Sequence, residues 1–128
     1  MLKFFKSKNL QSVKHGFFCR SGGQSTGIYS SLNLSEKTAD SAVNICANRA
    51  LVMDELEISS QKVFFPNQQH TNKLVFIDKK TDFDKIRHIP ADAVITNMDG
   101  IGVGILTADC SPILAYESES GFILAIHA

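Results

Sequence analysis

The sequence carries no excess charge of either sign and contains no long apolar run. Its 128 residues include 13 basic and 13 acidic side chains, so the formal net charge is zero. Without a basic excess, the main electrostatic argument for a nucleic-acid or anionic-membrane partner is missing, and we expect neither. No apolar run approaches the roughly 18 residues of a membrane span, and lysines interrupt the first residues too often for a secretory leader.

Cysteine is also scarce. The three cysteines, Cys19, Cys46 and Cys110, are an odd number without a close pair. This spacing argues against a disulfide framework and favours a reducing compartment, so we expect a cytoplasmic protein.

The sequence has no internal repeat, low-complexity tract or Pro/Gly-rich linker, and residues 1–128 are therefore interpreted as one unit without a boundary. One helix is predicted, capped by Thr38 or Asp40. Its apolar face would hold five residues at helical spacing: Val43, Cys46, Ala47, Ala50 and Leu51. Asn48 lies outside that set.

Strand-like runs dominate the rest of the chain, several of them apolar on both faces. We predict strands over residues 13–19, 63–65, 74–77, 93–96, 101–107, 113–116 and 122–126. One helix with this many strands indicates a mixed α/β or α+β domain. The strands that are apolar on both faces should be covered by a partner outside this chain or by helices that the sequence pattern does not reveal.

Three side chains suggest a metal site: His70, Cys110 and His127, each at the edge of a predicted strand. Two imidazoles and a thiolate can hold zinc and leave a fourth position open, as catalytic sites do. Spacing alone leaves two alternatives. Cys110 is a buried small residue unrelated to the histidines, or it is a nucleophile with His127 as its base.

Asp109 and the Gly22-Gly23 pair could each have a functional role or a purely structural one. Asp109, beside Cys110, could orient a ligand, act as a general acid or base, or cap the turn before Pro112, which is the commonest use of Asp in such a place. Gly22-Gly23 could cradle a phosphate, but no dinucleotide or Walker pattern surrounds the pair, so a plain loop is favoured.

Several strings in a fixed order resemble one bacterial family, named for polyphenol oxidase or a laccase domain and described as purine nucleoside phosphorylases. The strings are His15–Ser25, Tyr29–Leu34, Asn48-Arg49, Gln68-Gln69-His70, Ala91-Asp92-Ala93, Thr107–Pro112 and His127-Ala128. Cys19, Gln24, Ser35, Gln69 and Ser111 depart from the family's usual residues. The family continues beyond the position of Ala128, so we expect this chain to represent an N-terminal half, a single partial domain of a layered α/β sandwich with a mixed β-sheet.

The resemblance implies a site and a reaction. His70, Cys110 and His127 would be the catalytic metal ligands, with zinc as the metal and copper as the alternative. Arg20, Asn33 and Gln68 would bind substrate, with Asp109 beside them. The implied reaction is phosphorolysis of adenosine, inosine or methylthioadenosine, with phosphate as co-substrate, and related deamination of adenosine.

The partners expected from the resemblance are purine nucleosides, phosphate, and either a second copy in a homodimer or the missing C-terminal half. Two alternatives to the phosphorylase are kept open. One is a non-catalytic remnant that binds a partner, and the other is a cysteine hydrolase acting on cell-wall peptides.

Overall fold

A computed structural model describes residues 1–59 and 62–128 of the chain. The residues cluster into two compact units, Met1–Gln61 and Lys62–Ala128. Within the described residues, no helix is long and apolar enough to cross a membrane.

The first unit contains little regular structure besides one helix. β1 (Phe4–Phe5) pairs antiparallel with β2 (Phe17–Phe18), and the Phe4 and Phe18 rings stack with centroids 4.8 Å apart. The strand predicted over residues 13–19 is thus limited to two residues. Two 3-10 helices, Lys8–Leu10 and Gly27–Tyr29, lie in the connections, and α1 (Ala42–Glu55) closes the unit.

The predicted helix exists, but its buried face and its cap were predicted wrongly. Val43 is 76% exposed and Cys46 is exposed, whereas Asn48 is completely buried and Ile45 is 4% exposed. The apolar pattern misled because Asn48 is a buried polar residue: its amide donates to the Ser25 hydroxyl and to two backbone carbonyls and accepts from one backbone N–H. The helix is capped at Ser41 rather than at Thr38 or Asp40.

The elements of the second unit are β3 Val63–Phe64, β4 Leu74–Ile77, α2 Phe83–Ile86, β5 Ala93–Thr96, β6 Gly102–Val103, β7 Pro112–Glu117 and β8 Phe122–His127. The unit is built on a four-stranded mixed sheet in the order β4-β5-β8-β7. β4 is parallel to β5, and the pairs β5–β8 and β7–β8 are antiparallel. A separate parallel pair joins β3 to β6.

This mixed architecture confirms the predicted fold class. The predicted strands over 74–77 and 93–96 have the predicted bounds, those over 63–65 and 122–126 differ by one residue at one end, and the one over 113–116 is longer by one residue at each end. The run over 101–107 is mostly not a strand, since only Gly102 and Val103 pair. The residues that follow them form the loop that leads to Cys110.

The two faces of the four-stranded sheet differ in burial. Val75, Ile77, Val94 and Ala125 lie in the core cluster of this unit. On the alternate positions, Leu74, Phe76 and Ile113 are 54%, 49% and 44% exposed. Within the described residues, one apolar face of this sheet is therefore partly exposed. This agrees with the sequence pattern, which predicted strands that are apolar on both faces and need a cover.

Candidate metal centre

His70 lies in the loop between β3 and β4, held there by backbone contacts. Its backbone is in the left-handed region, with φ of 57°, and its N–H donates to the Asp92 carboxylate at 3.0 Å. The same loop is attached to the segment that leads into β5 by the Asn67–Pro90 bridge, where the Ala91 N–H donates to the Asn67 carbonyl. Together these contacts hold the imidazole at the edge of the sheet.

Cys110 and His127 are brought together by the pairing of β7 with β8. His127 ends β8, and Cys110 lies two residues before the start of β7 at Pro112. The backbone groups of Ser111 and Ala128 exchange two hydrogen bonds of 2.9 Å each. The antiparallel ladder therefore places the thiol beside the histidine at the same end of the sheet.

The three side chains meet in the geometry of a metal site. One ligand atom from each of His70, Cys110 and His127 lies within 4.8 Å of the others. The distance from Cys110 Sγ to His70 Nε2 is 3.7 Å. Zinc–sulfur and zinc–nitrogen bonds at a tetrahedral angle would separate a thiolate and an imidazole nitrogen by about 3.5 Å. The donor set therefore suits a tetrahedral metal ion with three protein ligands, and the distance between Cys110 and His70 agrees with such a site.

The Asp92 carboxylate contacts both histidines, at the Nδ1 atom of His127 and at the backbone N–H of His70. Its Oδ1 lies 2.8 Å from His127 Nδ1 and accepts the N–H of His70. Its Oδ2 accepts the N–H groups of Gln69 and Thr71 and the hydroxyl of Thr71. Because Asp92 occupies Nδ1 of His127, it directs Nε2 toward the ligand position, the usual arrangement of a carboxylate behind a metal-binding histidine.

The protonation of Asp92 follows from the same contacts. The carboxylate is 2% exposed, and this burial raises its pKa. The hydrogen bonds from His127, Thr71 and Gln69 stabilise the charged form and together outweigh burial, so the pKa lies well below that of an ordinary aspartate. Asp92 is therefore a permanent anion at neutral pH, suited to keep a proton on Nδ1 of His127.

Sequence reasoning did not assign a role to Asp92, which appeared only within the string Ala91-Asp92-Ala93. A signal was available in the pattern: an acidic residue directly before a buried β-rich run is costly unless its charge has partners. The structure supplies those partners from a loop and from a strand that are distant in sequence.

The other predicted site residues of this unit lie close to the three side chains along the chain. Asp109 is exposed and directly precedes Cys110. Gln68 is two residues before His70, and its amide forms two hydrogen bonds with the backbone of Leu106. The substrate contacts expected of Gln68 and Asp109 remain predictions.

Arg20 and Asn33 belong to the first unit. The guanidinium of Arg20 donates to the Ser30 carbonyl. The Asn33 amide donates to the side chains of Thr38 and Asp40. Their predicted roles in substrate binding likewise remain predictions.

The Gly22-Gly23 pair belongs to a closely packed loop, in agreement with the plainer of its two readings. Both N–H groups donate to the Ser31 hydroxyl. A side chain on Gly23 would approach the Leu32 Cα to 2.6 Å, so the position requires glycine for packing.

These observations define a mixed α/β protein with a candidate metal centre of two imidazoles and one thiolate. The family described as multi-copper polyphenol oxidoreductase laccase matches residues 14–128. The chain therefore belongs to this family, in agreement with the resemblance seen in its sequence.

Relatives of known name agree with this membership. A purine nucleoside phosphorylase of Corynebacterium glutamicum is 32% identical over 117 residues, which are 91% of this chain and 47% of that protein. One from Bacteroides thetaiotaomicron is 32% identical over 134 residues, covering 100% of this chain and 49% of the relative. An adenosine deaminase, RL5, from an unknown prokaryotic organism is 30% identical over 129 residues, covering 95% and 48%.

Solved structures share the fold. YlmD from Geobacillus stearothermophilus superimposes with a TM-score of 0.78 at 23% identity, covering 88% of this chain and 44% of that one. YfiH from Bacillus licheniformis gives a TM-score of 0.79 at 24% identity, with the same coverage. The chain thus spans about half the length of its relatives, as the resemblance predicted, and corresponds to their N-terminal half.

Proposed function

We propose that this chain is the N-terminal half of a metal-dependent purine nucleoside phosphorylase. It would act on adenosine, inosine or methylthioadenosine and phosphate to give a free purine base and ribose 1-phosphate. The observation that carries the proposal is the convergence of His70, Cys110 and His127 within 4.8 Å of one another, supported by the names of the relatives.

Zinc is the metal we propose, with copper as the alternative. A thiolate and two imidazoles suit both ions, whereas magnesium and calcium prefer oxygen ligands. Three protein ligands leave room for one more, as catalytic zinc sites require. When bound, the ion would supply Lewis-acid polarisation of a substrate oxygen.

The protein groups around this position prepare it for such chemistry. Asp92 keeps the Nδ1 proton of His127 in place, so that the Nε2 lone pair stays available as a ligand. Its hydrogen bonds to three consecutive N–H groups, from Gln69 to Thr71, hold the His70 loop in one conformation. Preorganisation of this kind reduces the rearrangement needed when charge develops on the departing purine.

Deamination of adenosine is the second candidate, favoured by the adenosine deaminase among the relatives. Both reactions can be followed in one assay. Incubation of the purified chain with adenosine and phosphate, followed by chromatography, gives adenine and ribose 1-phosphate by phosphorolysis or inosine by deamination.

The controls separate the remaining hypotheses. We expect the wild-type chain to bind about one zinc ion and Cys110→Ala to bind much less. Equal metal content in the two proteins would refute the metal site. Peptide hydrolysis by metal-free protein would instead favour the cysteine hydrolase, with Cys110 as the nucleophile and His127 as its base. A folded, metal-loaded chain that forms neither adenine nor inosine, even after a C-terminal half is added, would favour the partner-binding remnant.

The partner proposal follows from the length comparison and the exposed sheet face. We propose that a C-terminal half, or a second copy in a homodimer, completes the catalytic domain, and that the protein works in the cytoplasm. Sedimentation of the purified chain measures its self-association. Addition of a C-terminal-half polypeptide taken from a relative tests complementation of activity.

A further inference from the structure

Gln68 forms a two-bond link between the segment that carries His70 and the segment that carries Cys110. Its Nε2 donates to the Leu106 carbonyl at 2.7 Å, and its Oε1 accepts the Leu106 N–H at 2.7 Å. The two residues are 38 positions apart in the sequence. A side-chain amide thus reproduces the paired hydrogen bonds of two neighbouring strands.

This link extends the short parallel pair of β3 and β6. Val63 pairs with Gly102 and Phe64 with Val103, and the Gly104 N–H donates to the Phe64 carbonyl at 3.0 Å. The Gln68 amide then holds Leu106 after regular pairing has ended. It therefore lies between the paired strands and the candidate metal ligands on both segments.

The candidate ligands lie only a few residues beyond the link. Gln68 precedes His70 by two residues and Leu106 precedes Cys110 by four. On the other side of Cys110, the paired backbone bonds of Ser111 with Ala128 attach the segment to His127. Cys110 is consequently held between two anchors, one leading to each histidine.

We propose that Gln68 is a positioning residue that sets the distance between Cys110 and His70, rather than a substrate contact. Both polar atoms of its amide are engaged by Leu106 at short distances. Release of Leu106 would free four residues of loop before Cys110 and allow Sγ to leave its place 3.7 Å from His70 Nε2. This inference rests on the metal site of the proposed function and adds to it the contact that keeps Cys110 beside His70.

The first test uses cobalt(II) as a probe in place of zinc, because its absorption reports thiolate ligation. Gln68→Met keeps the length of the side chain and removes both hydrogen bonds. The matched control is Gln69→Met, an exposed neighbour. We expect Gln68→Met to bind cobalt about tenfold more weakly, the lower end of the effect of supporting contacts on metal affinity. Its thiolate-to-cobalt absorption should weaken, while Gln69→Met and the wild type agree.

Two results of this titration overturn the proposal. The first is a folded Gln68→Met protein with the cobalt affinity and spectrum of the wild type, as a substrate-contact role would give. The second is a lower denaturation midpoint with an unchanged cobalt spectrum, as a purely structural role would give. If Gln68→Met does not fold, Gln68→Glu takes its place. It keeps the acceptor for the Leu106 N–H but sets a carboxylate oxygen against the Leu106 carbonyl, so wild-type affinity there also overturns the proposal.

The second test needs no variant. Amide hydrogen exchange of the wild-type chain, resolved by NMR, should show the Leu106 N–H exchanging about tenfold or more slowly than that of exposed Thr107. Equal exchange of the two amides would refute the link. If the wild type binds no cobalt, the proposed function fails, and this measurement still decides whether the link exists.

Discussion

Replacement of Asp92 by asparagine should weaken metal binding although it changes one atom. The two carboxylate oxygens receive five hydrogen bonds: two at Oδ1, from His70 and His127, and three at Oδ2, from Gln69 and Thr71. An asparagine has only one acceptor oxygen. Its NH₂ group must therefore face donors on one side or the other.

The least costly orientation keeps the amide oxygen toward the three donors of Gln69 and Thr71. The NH₂ group then faces His127 Nδ1, which can accept only if the ring proton moves to Nε2. That tautomer removes the lone pair that would bind the metal. Loss of such a supporting contact typically lowers metal affinity about 10- to 100-fold, or about 1.4 to 2.7 kcal/mol.

The folded state loses stability as well. The N–H of His70 faces a donor instead of its acceptor at 3.0 Å. An unsatisfied buried donor costs about 1 to 3 kcal/mol. We expect a lower urea midpoint for Asp92→Asn in metal-free protein, in addition to the loss of affinity.

Competition with a chelating dye measures the affinity, and Asp99→Asn, a change of the same kind in an exposed turn, is the control. We expect the control to match the wild type within about twofold, since exposed carboxylates contribute little. A folded Asp92→Asn protein that retains wild-type zinc affinity would show that the carboxylate does not set the His127 tautomer.

Three further predictions concern the rest of the chain. Asn48→Ala should lower the free energy of unfolding by about 2 to 3 kcal/mol, because it removes a fully buried amide and leaves part-buried backbone groups without partners. Urea denaturation measures this loss, and Asp54→Ala on the exposed side of α1 should cost much less. Hydrogen bonds, foremost that from the Ser25 hydroxyl, lower the pKa of Asp40. The stabilising contribution of the Asp40 carboxylate is therefore complete above the unfolded pKa of about 4 and is lost as the pH falls below that value. The urea midpoints at pH 6 and pH 3 should differ less in Asp40→Asn than in the wild type. An equal difference in the two proteins would contradict this expectation. Phe76→Lys, at a position 49% exposed, should leave the urea midpoint nearly unchanged and reduce self-association in sedimentation, and unchanged association would exclude this face as the contact.

Local patterns predicted most of the second unit because its strands are continuous β-rich runs. β4 and β5 have the predicted bounds, and β8 extends its prediction by one residue to include His127. The same approach predicted the wrong buried face for α1, because a polar residue of this helix is buried by its hydrogen bonds and not by its hydropathy. Asn48 is buried because a loop surrounds it with donors and acceptors, which no helical period reveals.

The strand predicted over residues 101–107 was predicted too long. Its apolar composition predicts a long strand, yet only Gly102 and Val103 pair with β3. Beyond them the partner segment continues toward His70, and pairing passes from the backbone to the Gln68 side chain. Strand propensity cannot indicate where a partner departs.

The sequence by itself determined the fold class, the family and the residue types of the candidate metal centre, because these depend on composition, local pattern and ordered motifs. Spacing alone could not show whether the three side chains meet or are unrelated polar residues, since Cys110 lies 40 positions from His70. Only the tertiary structure decided that question of proximity, through the ladder of β7 with β8 and the Gln68–Leu106 link. It also assigned Asp92 its place behind both histidines, because hydrogen bonds between distant segments exist only once the sheet has formed.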